Sequence, residues 1–273
     1  MFDLDAYLER IGLHGRPSVA EVHRAHITSI PFENLDPHRG VPVSLAEEDL
    51  ERKIVHQRRG GYCFEQNLTL KSGLEALGAE VDVFLARVRF GANGAIRPRS
   101  HLVLRVHAEG ASLHADVGFG LGNPLEPLPF GPGAAHDQSG WRYRIVEDGP
   151  ELVLQTEQEG EWVDVYGFPP QPAPFIDLET SNWWVSTHPR SPFVTGLIVS
   201  TQSDDGTRTS LSDWSELALT EQTPTGSRVT PVARDEIPEL LATRFGLSGF
   251  ELDDEGRVVL GAGGRPAKSP RSA

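Results

Sequence analysis

The sequence is poor in cysteine, in basic residues and in long apolar stretches. A single cysteine among 273 residues excludes a disulfide within the chain, and a reducing cytoplasm is the expected compartment. No run of about 18 apolar residues occurs, so no membrane-spanning helix is expected. The acidic N-terminus lacks the basic and apolar regions of a secretory signal. These features together predict a cytoplasmic protein with no membrane partner.

The charge balance argues against nucleic acid as a partner. The chain has 39 acidic and 25 basic residues, a formal net charge of -14. Nucleic-acid binding needs clustered Lys and Arg to neutralise phosphates. An anionic cofactor would need a local positive or N–H-rich patch against this background. The HExxH and CxxC spacings typical of zinc sites are missing, so no metal site is predicted.

The single cysteine lies in the segment RRGGYCFEQN at positions 58–67. Two glycines allow a tight turn or a positive φ before it. Apolar residues at helical spacing follow, with Gly78 as a stop, which predicts that Cys63 occupies the first turn of a helix. The positive end of a helix dipole stabilises a thiolate. The alternative for a lone cysteine is an inert buried thiol.

A thiol nucleophile needs a base, and the base needs an orienting group. Two later segments, SHLVL and HADVGFG, supply candidates. In chain order Cys63, His101 and Asp116 form a possible catalytic triad, in which His101 takes the thiol proton and Asp116 bonds the other ring nitrogen. His114 is a rival, because two residues apart on a strand it shares a face with Asp116 and competes for that carboxylate or for the role of base.

The remaining pattern predicts helices first and strands later. Ser18 with Glu21, and Ser44 with Glu47, predict two helix capping boxes within the first eighty residues. Short alternating runs from 81 to 165, including 102–106 and 113–119, predict an antiparallel barrel or sandwich. Residues 193–199 read as a further strand, and 236–245 as a helix that Gly246 ends.

Four segments together resemble the bacterial arylamine N-acetyltransferases. They are RGGYCFEQN, IPFENLD at 30–36, DVGFG at 116–120 and SNWWVSTHP at 181–189, in the family's order and approximate spacing. The resemblance extends from the N-terminus to about residue 200. With the pattern above, it implies an α+β fold with a cysteine-protease-like triad core: an N-terminal helical bundle (1–80), a central antiparallel β-barrel (81–190) and a C-terminal α/β lid (191–260). Residues 261–273 are expected to form a disordered tail.

The resemblance also implies an activity. Cys63 would take an acetyl group from acetyl-CoA and pass it to an arylamine, arylhydrazine or N-hydroxyarylamine, with ping-pong kinetics. Phe32, Val88 and Phe193 are the expected walls of the acceptor pocket, with ordinary core packing as their alternative.

Coenzyme contacts are expected at Ser100, Gly118 and Phe119. An ion pair between Glu33 and Arg59 is expected to tie the IPFENLD segment to the cysteine turn. His114 departs from the resemblance, which favours an apolar residue there.

Two other activities fit the same residues. One is an amide synthase that closes a macrolactam from a carrier-bound chain, and the other is a thiol hydrolase with the same triad. Turnover of acetyl-CoA with a free arylamine distinguishes the transferase from both. The natural amine, the preferred acyl chain and the oligomeric state are not predicted.

Overall fold

The computed structural model describes residues 2–108, 110–120 and 122–261, and its fold is α+β, as predicted. The N-terminal region is helical. It contains α1 (Leu4–Arg10), α2 (Val19–Ser29), the two-residue strand β1 (Phe32–Glu33), α3 (Leu35–His38), α4 (Glu47–Leu50) with a π-helical turn (Glu51–His56), and α5 (Cys63–Ala76).

One of the two predicted capping boxes is confirmed. The Ser18 hydroxyl accepts the Glu21 N–H while the Glu21 carboxylate accepts the Ser18 N–H, so α2 begins as expected. The second is wrong, because α4 begins only after Ala46 and the Ser44 hydroxyl accepts the Ala46 N–H instead. The Ser44 side chain therefore closes a short turn before the helix rather than capping it.

An eight-stranded antiparallel sheet follows and curls into a nearly closed barrel. Its order is β5-β4-β3-β2-β9-β8-β7-β6. The strands are β2 (Glu80–Val88), β3 (His101–Ala108), β4 (Ala111–Ala115), β5 (Leu128–Pro129), β6 (His136–Gln138), β7 (Trp141–Asp148), β8 (Glu151–Gln158) and β9 (Glu161–Phe168). The predicted strand 113–119 is shorter than expected. It ends at Ala115 because the next carboxylate, Asp116, accepts the Gly118 N–H and turns the chain.

The C-terminal region combines helices with a second sheet. It contains α6 (Phe175–Thr187), α7 (Pro192–Thr195), β10 (Ile198–Gln202), β11 (Arg208–Ser212), β12 (Ala218–Thr223), β13 (Gly226–Pro231), a 3₁₀ turn (Arg234–Glu236), α8 (Ile237–Phe245), β14 (Phe250–Leu252) and β15 (Val258–Leu260). Gly246 ends α8 with a left-handed φ of 67°, as predicted.

The predicted strand 193–199 is wrong for residues 193–197. Ser191 caps α7 by accepting the Phe193 N–H at 3.3 Å, and Pro192 occupies the first helical position. Strand β10 starts only at Ile198. The local start signals for a helix outweigh the apolar run here.

Strand β1 links the N-terminal and C-terminal regions. Phe32 pairs with Ser200 and Glu33 with Val199, which makes β1 the edge strand of the five-stranded sheet β1-β10-β11-β12-β13. Phe32 also forms a parallel bridge with Gly61, two residues before the cysteine. The turn that leads into α5 is therefore attached through β1 to a sheet formed by the end of the chain.

The cysteine lies within the largest hydrophobic cluster, which joins the N-terminal helices to β3 and β4. A second cluster fills the barrel, and a third lies between the C-terminal sheet and α8. Among the described residues, no helix is long and apolar enough to cross a membrane, and no group of three His, Cys, Asp or Glu side chains is arranged to hold a metal ion. The predicted disordered tail lies, apart from Gly261, outside the described residues.

Candidate active site

Cys63 is the first helical residue of α5, as the sequence predicts. Its side chain is buried, and Sγ lies 3.5 Å from the Ser100 carbonyl oxygen. Neither preceding glycine takes a positive φ, which falls instead on Arg58 at 53°. Gly60 is needed for a different reason: a Cβ there would overlap the Pro31 carbonyl oxygen. The glycine therefore lets the cysteine turn pack directly against the chain before β1.

His101 and Asp116 are hydrogen-bonded beside this cysteine. His101 begins β3 and Asp116 follows the last residue of β4, and the pairing of Leu104 with Ala115 brings the two ends together. The His101 Nε2 to Asp116 Oδ2 distance is 2.7 Å, and both side chains are buried. Cys63 lies beside this pair. Its Sγ contacts the carbonyl of Ser100, which precedes His101, and its backbone packs against Gly118, two residues after Asp116.

Asp116 is ionised in this arrangement. Burial alone would raise the pKa of its carboxyl group, but the His101 ring and hydrogen bonds from Asn67 and the Gly118 N–H hold that pKa well below its usual range. Because the carboxylate can only accept, His101 Nε2 carries the proton. The other ring nitrogen, Nδ1, is then the acceptor that remains for a thiol proton.

Asn67 is a site residue that the sequence analysis does not assign. It lies one turn after Cys63, and its amide donates to Asp116 Oδ1 at 2.9 Å and to the Leu102 carbonyl at 2.7 Å. Its carbonyl oxygen accepts the Val117 N–H at 3.0 Å. One buried amide thus fixes the carboxylate relative to α5 and β3. The i, i+4 spacing from the nucleophile is the sequence signal that could have identified it.

His23 supports Asp116 from α2. Its Nε2 accepts the Asp116 N–H at 3.1 Å, so Nδ1 carries the proton and donates to the Leu125 carbonyl at 3.1 Å. Burial lowers the pKa of His23 to about 4, which keeps the ring neutral. The backbone of Asp116 is thereby held by α2, while its side chain bonds His101 of β3 and Asn67 of α5.

Gly118 lies directly against the nucleophile. A Cβ at this position would be 2.6 Å from the Cys63 Cα and 3.0 Å from its carbonyl oxygen. Real Cβ atoms do not approach so closely, so the absence of a side chain sets the distance between α5 and the loop after β4. This packing gives Gly118 a role besides the coenzyme contact expected from the resemblance.

The buried thiol is not an intrinsically acidic one. Burial raises the pKa of the Cys63 thiol well above its usual range, and the negative charge of Asp116 adds to the rise. Backbone N–H groups of Leu102 and Phe64 act in the opposite direction. A thiolate in this position therefore needs a positive partner nearby, and among the described residues the His101 ring is the candidate for that partner.

His114 does not bond to Asp116. Its Nε2 lies 2.8 Å from the Tyr166 hydroxyl, and its ring stacks on Phe168 with centroids 5.5 Å apart. Burial lowers the pKa of His114 to about 4, so the ring is neutral. Its Nδ1 is buried without a partner among the described residues. His114 is thus a core residue beneath the site, and the geometry favours His101 over it as the base.

Two of the three predicted acceptor walls lie together. The Phe32 and Phe193 ring centroids are 5.9 Å apart, and Tyr62 packs edge-on against Phe193 at 5.6 Å. Trp214 stacks on the other side of Phe193 at 6.0 Å. Val88 lies elsewhere, at the end of β2 opposite Tyr166 on β9. The aromatic wall therefore comes from β1, the N-cap of α5 and α7.

The predicted coenzyme residues surround the histidine. The Ser100 carbonyl accepts from Cys63, which leaves the Ser100 hydroxyl free of that contact. The Phe119 ring packs edge-on against His101 at 5.5 Å, and the Phe119 N–H donates to Asn123. Phe119 therefore also restricts the orientation of the imidazole ring.

The predicted Glu33–Arg59 ion pair exists and is buried. Arg59 Nη2 lies 2.7 Å from Glu33 Oε1. Lys53 Nζ lies 4.0 Å from the same Glu33 oxygen and 2.6 Å from Oε1 of a second acid, Glu65. Glu65 also accepts the Tyr62 N–H at 3.1 Å, at the start of α5. Burial raises the pKa of Glu65 to about 7 against the pull of Lys53. This network connects β1 to the cysteine turn, as the sequence analysis expects.

The fold and the placement of these side chains define a cysteine-protease-like α+β protein with one buried thiol beside a histidine–carboxylate pair. The family model described as N-acetyltransferase matches residues 17–252. An arylamine N-acetyltransferase of Mycolicibacterium smegmatis is 44% identical over 213 residues, covering 74% of this chain and 78% of that protein. One of Mycobacterium tuberculosis is 35% identical over 266 residues, covering 94% and 93%.

Solved structures agree with the sequence relatives. The structure of Mycobacterium marinum arylamine N-acetyltransferase in complex with CoA has a TM-score of 0.85 and 35% identity, and the match covers 90% of this chain and 93% of that one. The chain belongs to the arylamine N-acetyltransferase family, whose members are acyltransferases.

Proposed function

We propose that this chain is an acetyl-CoA-dependent arylamine N-acetyltransferase that works through an acetyl-Cys63 intermediate. The observation that carries the proposal is the 2.7 Å bond from His101 Nε2 to Asp116 Oδ2 beside the single buried thiol. That bond leaves Nδ1 of His101 as the proton acceptor. Family membership and the coenzyme-bound relative support coenzyme A as the leaving group.

In the first half-reaction the Cys63 sulfur attacks the thioester carbonyl carbon of acetyl-CoA. A new C–S bond forms to Cys63 as the C–S bond to the coenzyme breaks, and His101 moves the proton from the cysteine thiol to the departing thiolate. The high resting pKa of the buried thiol fits this order, because the proton leaves only when His101 can accept it. N–H groups in the first turn of α5 are the candidate donors to the carbonyl oxygen.

In the second half-reaction the amine nitrogen attacks the acetyl-cysteine. The C–N bond forms, the C–S bond to Cys63 breaks, and the amine proton returns to the sulfur through His101. The rings of Phe32 and Phe193 would hold the aryl group and keep water away from the thioester. Burial of Cys63 supports that exclusion.

The coenzyme is assigned to the side of the site formed by Ser100, Gly118 and Phe119. Since the Gly118 N–H is already used by Asp116, its carbonyl is the group available to the pantetheine chain. The hydroxyl of Ser100 is the second polar contact. A cytoplasmic location and the absence of nucleic-acid and metal partners remain predictions.

The test is mass spectrometry of the intact protein after mixing with acetyl-CoA in the absence of amine. We expect one added acetyl group on wild type and none on Cys63→Ser, and we expect an arylamine to remove it as the acetylated amine. An acetyl group that leaves as acetate at the same rate without amine would indicate a thiol hydrolase. Folded wild type that takes no label from acetyl-CoA but takes one from a carrier-bound chain would indicate an amide synthase.

A further inference from the structure

Arg208 is a buried cation with too few partners. The residue is 8% exposed, on β11, and a guanidinium carries five N–H donors. It makes one hydrogen bond within the described residues, from Nη2 to the Tyr143 hydroxyl. Its Nε is fully buried and has no partner there.

No acid among the described residues neutralises this group. No carboxylate oxygen of the described residues lies within 4.0 Å of a guanidinium nitrogen of Arg208. The one further compensation is the Trp141 ring, 3.5 Å from the guanidinium carbon. A buried charge without a counter-ion is unfavourable, so something else is expected to balance it.

A small cleft adjoins the guanidinium. Its volume is about 20 Å³, and its polar lining includes Asn123, Ser200 and Gln202 beside Arg208. A cavity needs roughly 10–15 Å³ to hold one water-sized species, so this one admits a single water or monoatomic ion.

The site is built around the arginine. Gly122 has a φ of 129°, and a Cβ there would overlap the Arg208 guanidinium, so the backbone leaves room for the side chain. The Asn123 carbonyl accepts from both Tyr143 and Gln202, which fixes the polar wall around it. The cleft also touches Phe32, so it lies where the helical region, the barrel loop and the C-terminal sheet meet.

We propose that this cleft binds a monoatomic halide, chloride in the cell, as the counter-ion of Arg208. The buried Nε–H and the unpaired guanidinium N–H groups are the donors, and a cleft with room for about one water-sized species fits a single-atom anion. The ion would stabilise the junction of the three regions without taking part in the acyl transfer.

The first test is thermal unfolding of the full chain at fixed ionic strength while sodium chloride replaces sodium gluconate. We expect the Tm to rise saturably, by roughly 3–6 °C at a tenfold excess of chloride over its dissociation constant. Sodium bromide should replace chloride. An equal Tm in chloride and gluconate at every ratio would overturn the proposal.

The matched variants are Arg208→Gln and Arg228→Gln. Arg228 is exposed on β13, so its loss should leave the chloride response unchanged, whereas Arg208→Gln should abolish it. A full response in Arg208→Gln would refute the assignment. Should that variant fail to fold, wild-type crystals grown in sodium bromide decide the question. Anomalous density beside the guanidinium supports the site, and a water there with no bromide overturns it.

Discussion

The close approach of Gly118 to the nucleophile predicts that Gly118→Ala damages catalysis more than stability. The added Cβ would meet the Cys63 Cα at 2.6 Å, where ordinary contact begins near 3.4 Å. The loop after β4 and the start of α5 must therefore separate by about 0.8 Å, as the difference of those two distances. That movement carries Asp116 and its histidine away from the thiol.

The expected losses of rate and of stability follow from the separation of about 0.8 Å between the loop and the helix. Overpacking a close-packed contact costs about 1–3 kcal/mol of unfolding free energy. Misplacing a catalytic group by about 1 Å reduces rates by up to 100-fold. We therefore expect kcat/KM for acetyl transfer to fall roughly 10- to 100-fold in Gly118→Ala, while Tm drops by only ~2–4 °C per kcal/mol lost.

The assay is the rate of acetylation of Cys63 by acetyl-CoA, measured together with thermal unfolding. Gly73→Ala is the matched control, because Gly73 lies on the same helix as Cys63 and its added Cβ would overlap the Tyr7 ring of α1. Position 73 lies about 15 Å along α5 from Cys63. Its steric cost is partly offset by a gain in helix propensity of about 1 kcal/mol. This control should keep its acetylation rate per folded molecule.

Two results would refute this reasoning. If Gly118→Ala were acetylated at the wild-type rate, the loop and the helix could separate without moving Cys63, His101 and Asp116 apart. An equal loss of rate in Gly73→Ala would mean that any overpacking of α5 disturbs the site.

The other predictions concern the buried polar groups. Asn67→Leu removes two donors and one acceptor around Asp116, so we expect a loss of about 2–5 kcal/mol in urea unfolding and slower acetylation; unchanged stability would contradict the network. His114→Phe should retain activity, since that ring bonds Tyr166 and not the carboxylate, and an inactive but folded variant would restore it as a candidate base. Because His23 and His114 have folded-state pKa values near 4, below the usual 6.5, unfolding takes up protons as pH falls. In urea melts the two rings should lower stability between pH 6.5 and 4 by up to about 2.7 kcal/mol per pH unit, while the raised pKa of Glu65 acts in the opposite direction; an unchanged slope in His114→Phe would contradict a neutral buried ring at that position.

Local sequence signals predicted the parts of the site that depend on short-range structure. The helix start at Cys63 and the capping box at Ser18 follow from residues within a few positions of each other. The beginning of α7 was not predicted, because the apolar residues from 193 to 199 fit a strand, although Ser191 and Pro192 are a local signal for a helix start. The early end of β4 was missed because it depends on where the Asp116 side chain turns.

Long-range contacts account for what the sequence did not predict. His23 supports the Asp116 backbone across 93 residues of chain, and nothing in its own neighbourhood indicates that role. Asn67 stands inside the recognised motif, yet its bond to Asp116 spans 49 residues. Arg208 Nε lacks a hydrogen-bond partner among the described residues, and that lack depends on how distant chain segments pack, which no local sequence pattern indicates.

The edge position of β1 has a consequence for the newly made chain. Phe32 lies between Gly61 and Ser200, so the wall beside the nucleophile is incomplete until β10 has left the ribosome. At synthesis rates of ~5–20 residues per second, that interval is roughly 7–30 s. During it the thiol that the finished protein buries is open to oxidants and metals, which makes the reducing state of the surrounding compartment a condition for producing active protein.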